Sequence, residues 1–133
     1  MAAISAYLEK SLLDWTLGGA AATQPTTRAV GLSLGAPSST SGSEWTGTGI
    51  TRSSIGFGAA ASPGGSATNS AAVTFGPVTS AATVSGIQLW DTISGTTANA
   101  GNMLFYGALA TVRTLASGDY LVLASGALTC SLA

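Results

Sequence analysis

Four apolar residues recur at helical spacing near the amino terminus: Ile4, Leu8, Leu12 and Trp15. Their intervals of four and three residues are those of one helix face. The pair Gly18-Gly19 follows, and glycine readily adopts the left-handed conformation that ends a helix. The pattern predicts an α-helix over residues 4–17. Its apolar face is expected either to pack on its own domain or to dock on another subunit, so these four residues are interface candidates.

Beyond the helix the apolar period becomes two. Val30, Leu32 and Leu34 alternate with small residues, which predicts a half-buried strand. Polar loops are predicted over residues 35–48, 58–71 and 92–101. Further strands are predicted over residues 50–57, 73–75, 83–91, 103–109, 112–115, 120–123 and 128–132. Short strands at even spacing indicate a mainly β chain, an antiparallel β-sandwich or jelly-roll-like barrel with one amino-terminal α-helix. We expect one domain over residues 1–133, with the β-sandwich over residues 28–133.

The chain carries very little charge. Only 7% of its residues are charged and the net charge is −1, against roughly 25% charged residues in an ordinary domain. A neutral surface of small side chains loses little free energy to desolvation and ordering when it associates. We therefore expect contacts with copies of the chain or with a large partner, and a homo-oligomer. The four basic residues are too few and scattered to neutralise nucleic-acid phosphates: Lys10, Arg28, Arg52 and Arg113.

The sequence offers few groups for catalysis or ligand binding. The segment 31–35 matches G-x-S-x-G, but Ser33 lies inside an alternating strand and the chain has no His to act as base. Glu44 and Asp91 are acids without a convergent partner, and the single Cys130 excludes a cysteine zinc site. We expect no enzyme activity, no cofactor and no metal.

No segment resembles a membrane span or a secretory signal. Glu9, Lys10 and Asp14 interrupt the amino-terminal apolar stretch, and no run reaches the ~20 apolar residues of a spanning helix. We expect synthesis in the cytoplasm and no membrane partner.

Trp45 is the large apolar residue of the polar loop 35–48. Loop tryptophans pack into cores, anchor subunit contacts or stack on sugars. All three interpretations stay open from the sequence, and Trp45 is the fifth interface candidate.

An ordered set of segments resembles a family of small tailed-bacteriophage proteins, known as phage tail-fibre or virion structural proteins. The segments are YLEKSLLDWTLGG, VGLSL, SGIQLWDTISGTTANAGNMLFYGAL and SGDYLVLASGALTCSL. The resemblance covers nearly the whole chain, most clearly residues 4–34 and 83–132. It implies a virion component made in the host cytoplasm, without catalysis, whose partners are the major capsid protein or tail proteins.

Within the virion, we predict a capsid decoration (cement) protein that stabilises the shell through non-covalent subunit contacts. The chain is too short to form the long shaft of a projecting fibre. The alternative is a tail or fibre-base component that oligomerises through the helix. A second alternative is a carbohydrate-binding module for host attachment that uses Trp45.

Overall fold

The computed structural model describes residues 2–40, 43–47, 49–93 and 98–132. Its helix α1 spans Ala6–Leu17. The strands are β1 Ala3–Ile4, β2 Ala29–Ser33, β3 Ser53–Ser54, β4 Ser66–Thr68, β5 Val73–Phe75, β6 Ala82–Trp90, β7 Met103–Leu115, β8 Leu121–Leu123 and β9 Thr129–Ser131. The predicted fold class is confirmed in its main terms: the described chain is mainly β, with antiparallel sheets and a helix near the amino terminus.

The strands form one five-stranded sheet and two small ones. The large sheet has the order β1-β7-β6-β2-β3, and the two-stranded sheets pair β4 with β9 and β5 with β8. All of these pairs are antiparallel. In the described part of the chain the sheets do not close into a barrel, so the jelly-roll-like barrel is not the architecture found.

Strand β2 is buried on both faces, whereas the sequence predicts a half-buried strand. Val30 and Leu32, which pair with Leu89 and Ile87 of β6, belong to the hydrophobic core. The opposite face of β2 is covered by the segment that carries Glu44. The alternation predicts that Leu34 shares the buried face, but Leu34 lies beyond the end of β2 and is exposed.

The helix begins two residues later than predicted. Ser5 adopts an extended conformation as the N-cap of α1, and its side chain accepts a hydrogen bond from the backbone N–H of Leu8. Ile4 is therefore not helical; it lies in β1 and pairs with Phe105 of β7. The carboxyl end agrees with the prediction, because Gly18 takes the left-handed conformation with φ of 79°.

Several strand boundaries also differ from the predictions. Within the predicted strand 50–57 only β3 forms, and β4 forms inside the predicted loop 58–71 because it pairs with β9. The two strands predicted at 103–109 and 112–115 are one strand, β7, with an irregularity where it passes Ser85 of β6. Within the predicted hairpin loop 92–101, residues 94–97 lie outside the described residues.

Candidate assembly interface

Helix α1 is capped by hydrogen bonds at both ends, and it is attached to the sheet at its first turn. The hydroxyl of Ser5 accepts from Leu8 and donates to the carbonyl oxygen of Met103 at the start of β7, so the N-cap also attaches the helix to the sheet. At the other end, the N–H of Gly18 donates to the carbonyl oxygen of Asp14. The position of α1 is thus set by its first turn, while its last turn lies beyond this attachment.

An apolar cavity of about 490 Å³ lies between α1 and the sheet layer. Leu8 and Leu12 line it from the helix, and both are half-buried. The residues opposite them include Phe57, Leu104, Phe105 and Cys130. We call this cavity the α1 groove. Its walls are mainly carbon, and no residue of α1 is fully buried, so the helix covers the sheet incompletely.

A second cavity, of about 380 Å³, adjoins the α1 groove and shares Leu8 and Leu104 with it. It is lined by Tyr7, Leu8, Ser11 and Asp14, and by the linker residues 20–26. Open space therefore borders the helix along both cavities, and no residue of α1 is fully buried. This arrangement differs from a core helix, which buries a continuous apolar stripe.

Three large apolar side chains in the second half of α1 are exposed. The exposed fractions are 60% for Leu13, 63% for Trp15 and 79% for Leu17. Leu13 and Leu17 are four residues apart and form one ridge on the helix surface. Trp15 is three residues after Leu12 and continues the face that lines the groove. We call Leu13, Trp15 and Leu17 the α1 apolar surface, and it is the clearest unpartnered apolar feature of the helix.

Charged groups around α1 are few. Lys10 and Asp14 form an ion pair at the surface of the helix. Glu9 is exposed in the first turn. Arg28 lines the α1 groove and donates a hydrogen bond to the carbonyl oxygen of Pro25 at 3.3 Å. Within the described ranges, neither Glu9 nor Arg28 has an oppositely charged partner.

The structure separates the predicted interface residues. Leu8 and Leu12 line the groove, and Trp15 projects beside it, as the helical spacing predicts. Ile4 lies apart from them, in β1. Trp45 is 7% exposed and belongs to the hydrophobic core, and its backbone N–H donates to the carbonyl oxygen of Leu32 at 2.8 Å. This burial supports the packing interpretation of Trp45 and leaves little of its indole accessible to a subunit or a sugar.

A buried ion pair is a feature that sequence reasoning missed. Arg52 and Glu44 bond at two points, and their side chains are 0% and 1% exposed. The guanidinium of Arg52 also donates to the carbonyl oxygens of Thr92 and Ala100, and it lies 4.1 Å from the ring centroid of Trp90. A signal was present in the sequence, since Arg52 stands within the predicted strand 50–57, but its acid partner could not be identified. The pair connects the loops on one face of the sheet.

Other candidate groups are enclosed by the fold. Ser33 of the G-x-S-x-G match is buried in β2, and its hydroxyl donates to the carbonyl oxygen of Gly35 at 2.6 Å. Burial raises the pKa of the Cys130 thiol from 9.0 to about 11, because the thiolate is poorly solvated there.

Among the described residues, no group of three or more His, Cys, Asp or Glu side chains could hold a metal ion. That same part of the chain contains no helix long and apolar enough to cross a membrane.

The comparison with known families identifies the class of protein. Residues 3–131 match the family model Gp80, described as Podophage GP4 fiber I protein gp80. The chain belongs to this family. The predicted resemblance to tailed-phage fibre proteins is therefore confirmed. No curated protein sequence matches the chain. Membership of the Gp80 family supports a structural role in the virion and association with other virion proteins.

Proposed function

We propose that this member of the Gp80 family is a structural component of the phage tail, placed in or at the base of a fibre and held by non-covalent contacts. The proposal follows the alternative named from the sequence, because the family description is that of a fibre protein. Capsid decoration stays a prediction with less support. In the proposed role the chain packs against other virion proteins and catalyses no reaction.

The α1 apolar surface is the observation that carries this proposal. Burying apolar surface contributes about 25 cal/mol per Å². Leu13, Trp15 and Leu17 therefore gain free energy when a neighbouring subunit covers them. A freely soluble protein usually surrounds such a patch with charge. Here the helix carries only Glu9, Lys10 and Asp14 beside it, so few ions must be dehydrated on contact.

The attachment of α1 also suits an assembly role. Its first turn is anchored to β7 through Ser5, while the exposed side chains lie in its second half. A neighbour can therefore cover the last turns without displacing the N-cap. In a fibre or fibre base, several such contacts act together, so each one can be weak and the assembly still stable.

Incorporation into virions tests the proposal. Phage carrying Trp15→Ser is grown beside wild type, and the copy number of the chain in purified particles is measured by quantitative mass spectrometry. We expect wild-type copy number to match that of tail proteins, and Trp15→Ser to reduce incorporation strongly. Tyr120→Ser is the control, because Tyr120 has a similar exposed fraction, 58%, but lies outside α1.

Three outcomes would contradict the proposal or the contact that it names. A copy number equal to that of the major capsid protein, with the chain located on the shell by a particle reconstruction, would support decoration instead. Absence of the chain from particles would exclude a virion role. Equal incorporation of wild type and Trp15→Ser would show that the α1 apolar surface is not the contact.

A further inference from the structure

We propose that a cavity beside Trp90 binds a neutral saccharide of one or two sugar rings. The cavity has a volume of about 320 Å³ and lies where the first turn of α1, residues 39–40 and residues 99–103 meet. We call it the Trp90 cavity. The inference goes beyond the proposed function, because it gives the chain a ligand and does not involve the α1 apolar surface. It also differs from the sugar contact considered for Trp45, which is buried elsewhere in the core.

The polar lining of the Trp90 cavity is uncharged. It consists of the amides of Asn99 and Asn102 and the hydroxyl-bearing residues Tyr7, Ser39 and Thr40. Amide and hydroxyl groups both donate and accept hydrogen bonds, as the hydroxyls of a sugar do. Among the described lining residues none carries a charge at pH 7, so an ionic ligand would lose its hydration without gaining an opposite charge. The lining therefore favours a ligand that is neutral and rich in hydroxyls.

Several of these groups are available to a ligand. Within the described ranges, the hydroxyls of Tyr7 and Thr40 and the side-chain amide of Asn99 have no hydrogen-bond partner. The amide of Asn102, by contrast, donates to Asp91 at 2.8 Å and serves to hold the loop. The available groups come from three separate segments of the chain, so they can bind one small ligand from several sides.

The indole of Trp90 adds a buried donor to the lining. Trp90 is 3% exposed, and its N–H has no hydrogen-bond partner among the residues that the structure describes. A buried donor without an acceptor costs free energy, which a ligand oxygen beside the indole can recover. Because Arg52 lies over the ring at 4.1 Å from its centroid, the indole is an enclosed wall of the cavity rather than an exposed stacking surface.

The buried ion pair fixes the backbone at Asn99. The N–H of Asn99 donates to the carboxylate of Glu44, and Arg52 donates to the carbonyl oxygen of Ala100 at 2.7 Å. Asn99 has a φ of 58°, in the left-handed region that asparagine tolerates better than most residues. Its side chain is therefore carried by a backbone that is already in place, which lowers the free energy lost to ordering when a ligand binds.

The opposite side of the cavity is connected in the same way. The N–H of Ala6 donates to the carbonyl oxygen of Ser39 at 3.0 Å, so residues 39–40 are attached to the turn of α1 that carries Tyr7. This bond lies close to the N-cap Ser5, which attaches α1 to the sheet. Both polar sides of the cavity are thus held by hydrogen bonds of the fold itself.

The size and the mixed lining of the cavity set the class of ligand. Its volume is near the lower end of the roughly 300–1,000 Å³ of typical small-molecule sites, which suits one or two sugar rings. Ala6, Met103 and Trp90 supply the carbon part of the lining. A sugar ring presents C–H groups between its hydroxyls, so it matches a lining of both kinds. The α1 groove, whose walls are mainly carbon, offers no such match.

Nuclear magnetic resonance of the indole N–H groups tests the proposal. The folded chain is titrated with glucose, galactose, rhamnose and N-acetylglucosamine and with disaccharides of each, and glucuronic acid and glycerol serve as comparisons. We expect at least one neutral sugar to shift the Trp90 signal with a Kd of about 0.1–10 mM, and the Trp15 and Trp45 signals to stay unchanged. Trp15→Phe and Trp45→Phe assign the signals. Displacement by a neutral bacterial polysaccharide that contains the same sugar would show that the site accepts a polymer unit; no displacement would identify a free sugar.

Two variants test the residues of the cavity. Asn99→Gly removes the amide but keeps the left-handed backbone, and should weaken sugar binding about tenfold. Tyr7→Phe removes one hydroxyl and should weaken it about threefold. Tyr120→Phe is the matched control, since Tyr120 is 58% exposed against 46% for Tyr7 and does not line the cavity. Trp15→Ser should also bind the sugar normally, which separates this site from the proposed assembly contact. Circular dichroism checks that each variant is folded.

Three results would overturn the inference. One is the absence of any shift of the Trp90 signal by neutral sugars up to about 50 mM, well above the expected Kd. Another is binding of glucuronic acid without binding of any neutral sugar. The third is a neutral sugar whose affinity is the same for wild type, Asn99→Gly and Tyr7→Phe, because that sugar binds elsewhere on the chain. None of these results affects the proposed function, which depends on incorporation into virions.

Discussion

Arg52 and Glu44 form a two-point ion pair inside the protein, with Nη2 of Arg52 donating to Oε2 of Glu44 at 2.8 Å. Both side chains are almost fully enclosed. Removing one member leaves the other charge buried without compensation. The pair also connects the segment before β3 to the loop after β6, through the bonds from Arg52 to the carbonyl oxygens of Thr92 and Ala100.

Arg52→Met should therefore lower the free energy of unfolding by about 3–5 kcal/mol, because Glu44 stays buried and unpaired. Lys10→Met is the matched control: it breaks the exposed Lys10–Asp14 pair and should cost no more than about 0.5 kcal/mol. Urea unfolding followed by circular dichroism measures both. Equal small losses would show that Glu44 is solvated in solution.

Trp45 and Trp15 should respond in opposite ways to truncation. Trp45→Ala removes a core side chain and should lower the free energy of unfolding by about 3–5 kcal/mol. Trp15→Ala should change the stability of the dilute chain by less than about 1 kcal/mol, because the side chain is mostly exposed. Urea unfolding at low protein concentration compares the two variants. A large loss from Trp15→Ala there would indicate that its own chain buries it.

Ser5 should be a stability determinant although it lies outside both the helix and the strands. Ser5→Ala removes the N-cap of α1 and the hydrogen bond to Met103, and should cost about 1–3 kcal/mol. Ser11→Ala removes a hydroxyl that donates to the carbonyl oxygen of Tyr7 within the helix at 3.0 Å, and should cost little. Thermal unfolding of both variants checks this. Similar transition temperatures would show that the N-cap does not stabilise the helix.

Cys130 should make stability depend on alkaline pH. Its thiol pKa is 9.0 when unfolded and about 11 when folded, so the unfolded chain loses the proton first as pH rises. The unfolded state then binds fewer protons, and stability falls between about pH 9 and pH 11, by roughly 2–3 kcal/mol in total. Cys130→Ala should remove this part of the slope in urea unfolding measured across that range. An identical slope in both proteins would contradict the burial of the thiol.

The candidate interface could be predicted in part. The spacing of Leu8, Leu12 and Trp15 predicts one apolar helix face, and all three lie on it or continue it. Their different environments were not predictable, because they depend on where the helix passes the edge of the sheet. Leu8 and Leu12 face β-sheet residues across the groove, whereas Trp15 extends into solvent.

The burial of Trp45 and Arg52 is harder to predict from the sequence. Trp45 stands in a predicted loop and Arg52 in a predicted strand, and both are buried because other segments of the chain cover them. Arg52 depends on Glu44 and on backbone oxygens of the loop that follows β6, which lies about 40 residues later. Sequence spacing carries no signal for such a contact.

The sequence by itself determined the features that depend on neighbouring residues: a helix ending before Gly18, alternating strands such as β2, and a surface with little charge. Tertiary structure decided the rest. It placed Ile4 in a strand with Phe105, made β4 from a predicted loop by pairing it with β9, and enclosed Trp45. The physical reason is that helix periodicity and capping act within a few residues, whereas strand pairing and burial depend on partners far along the chain.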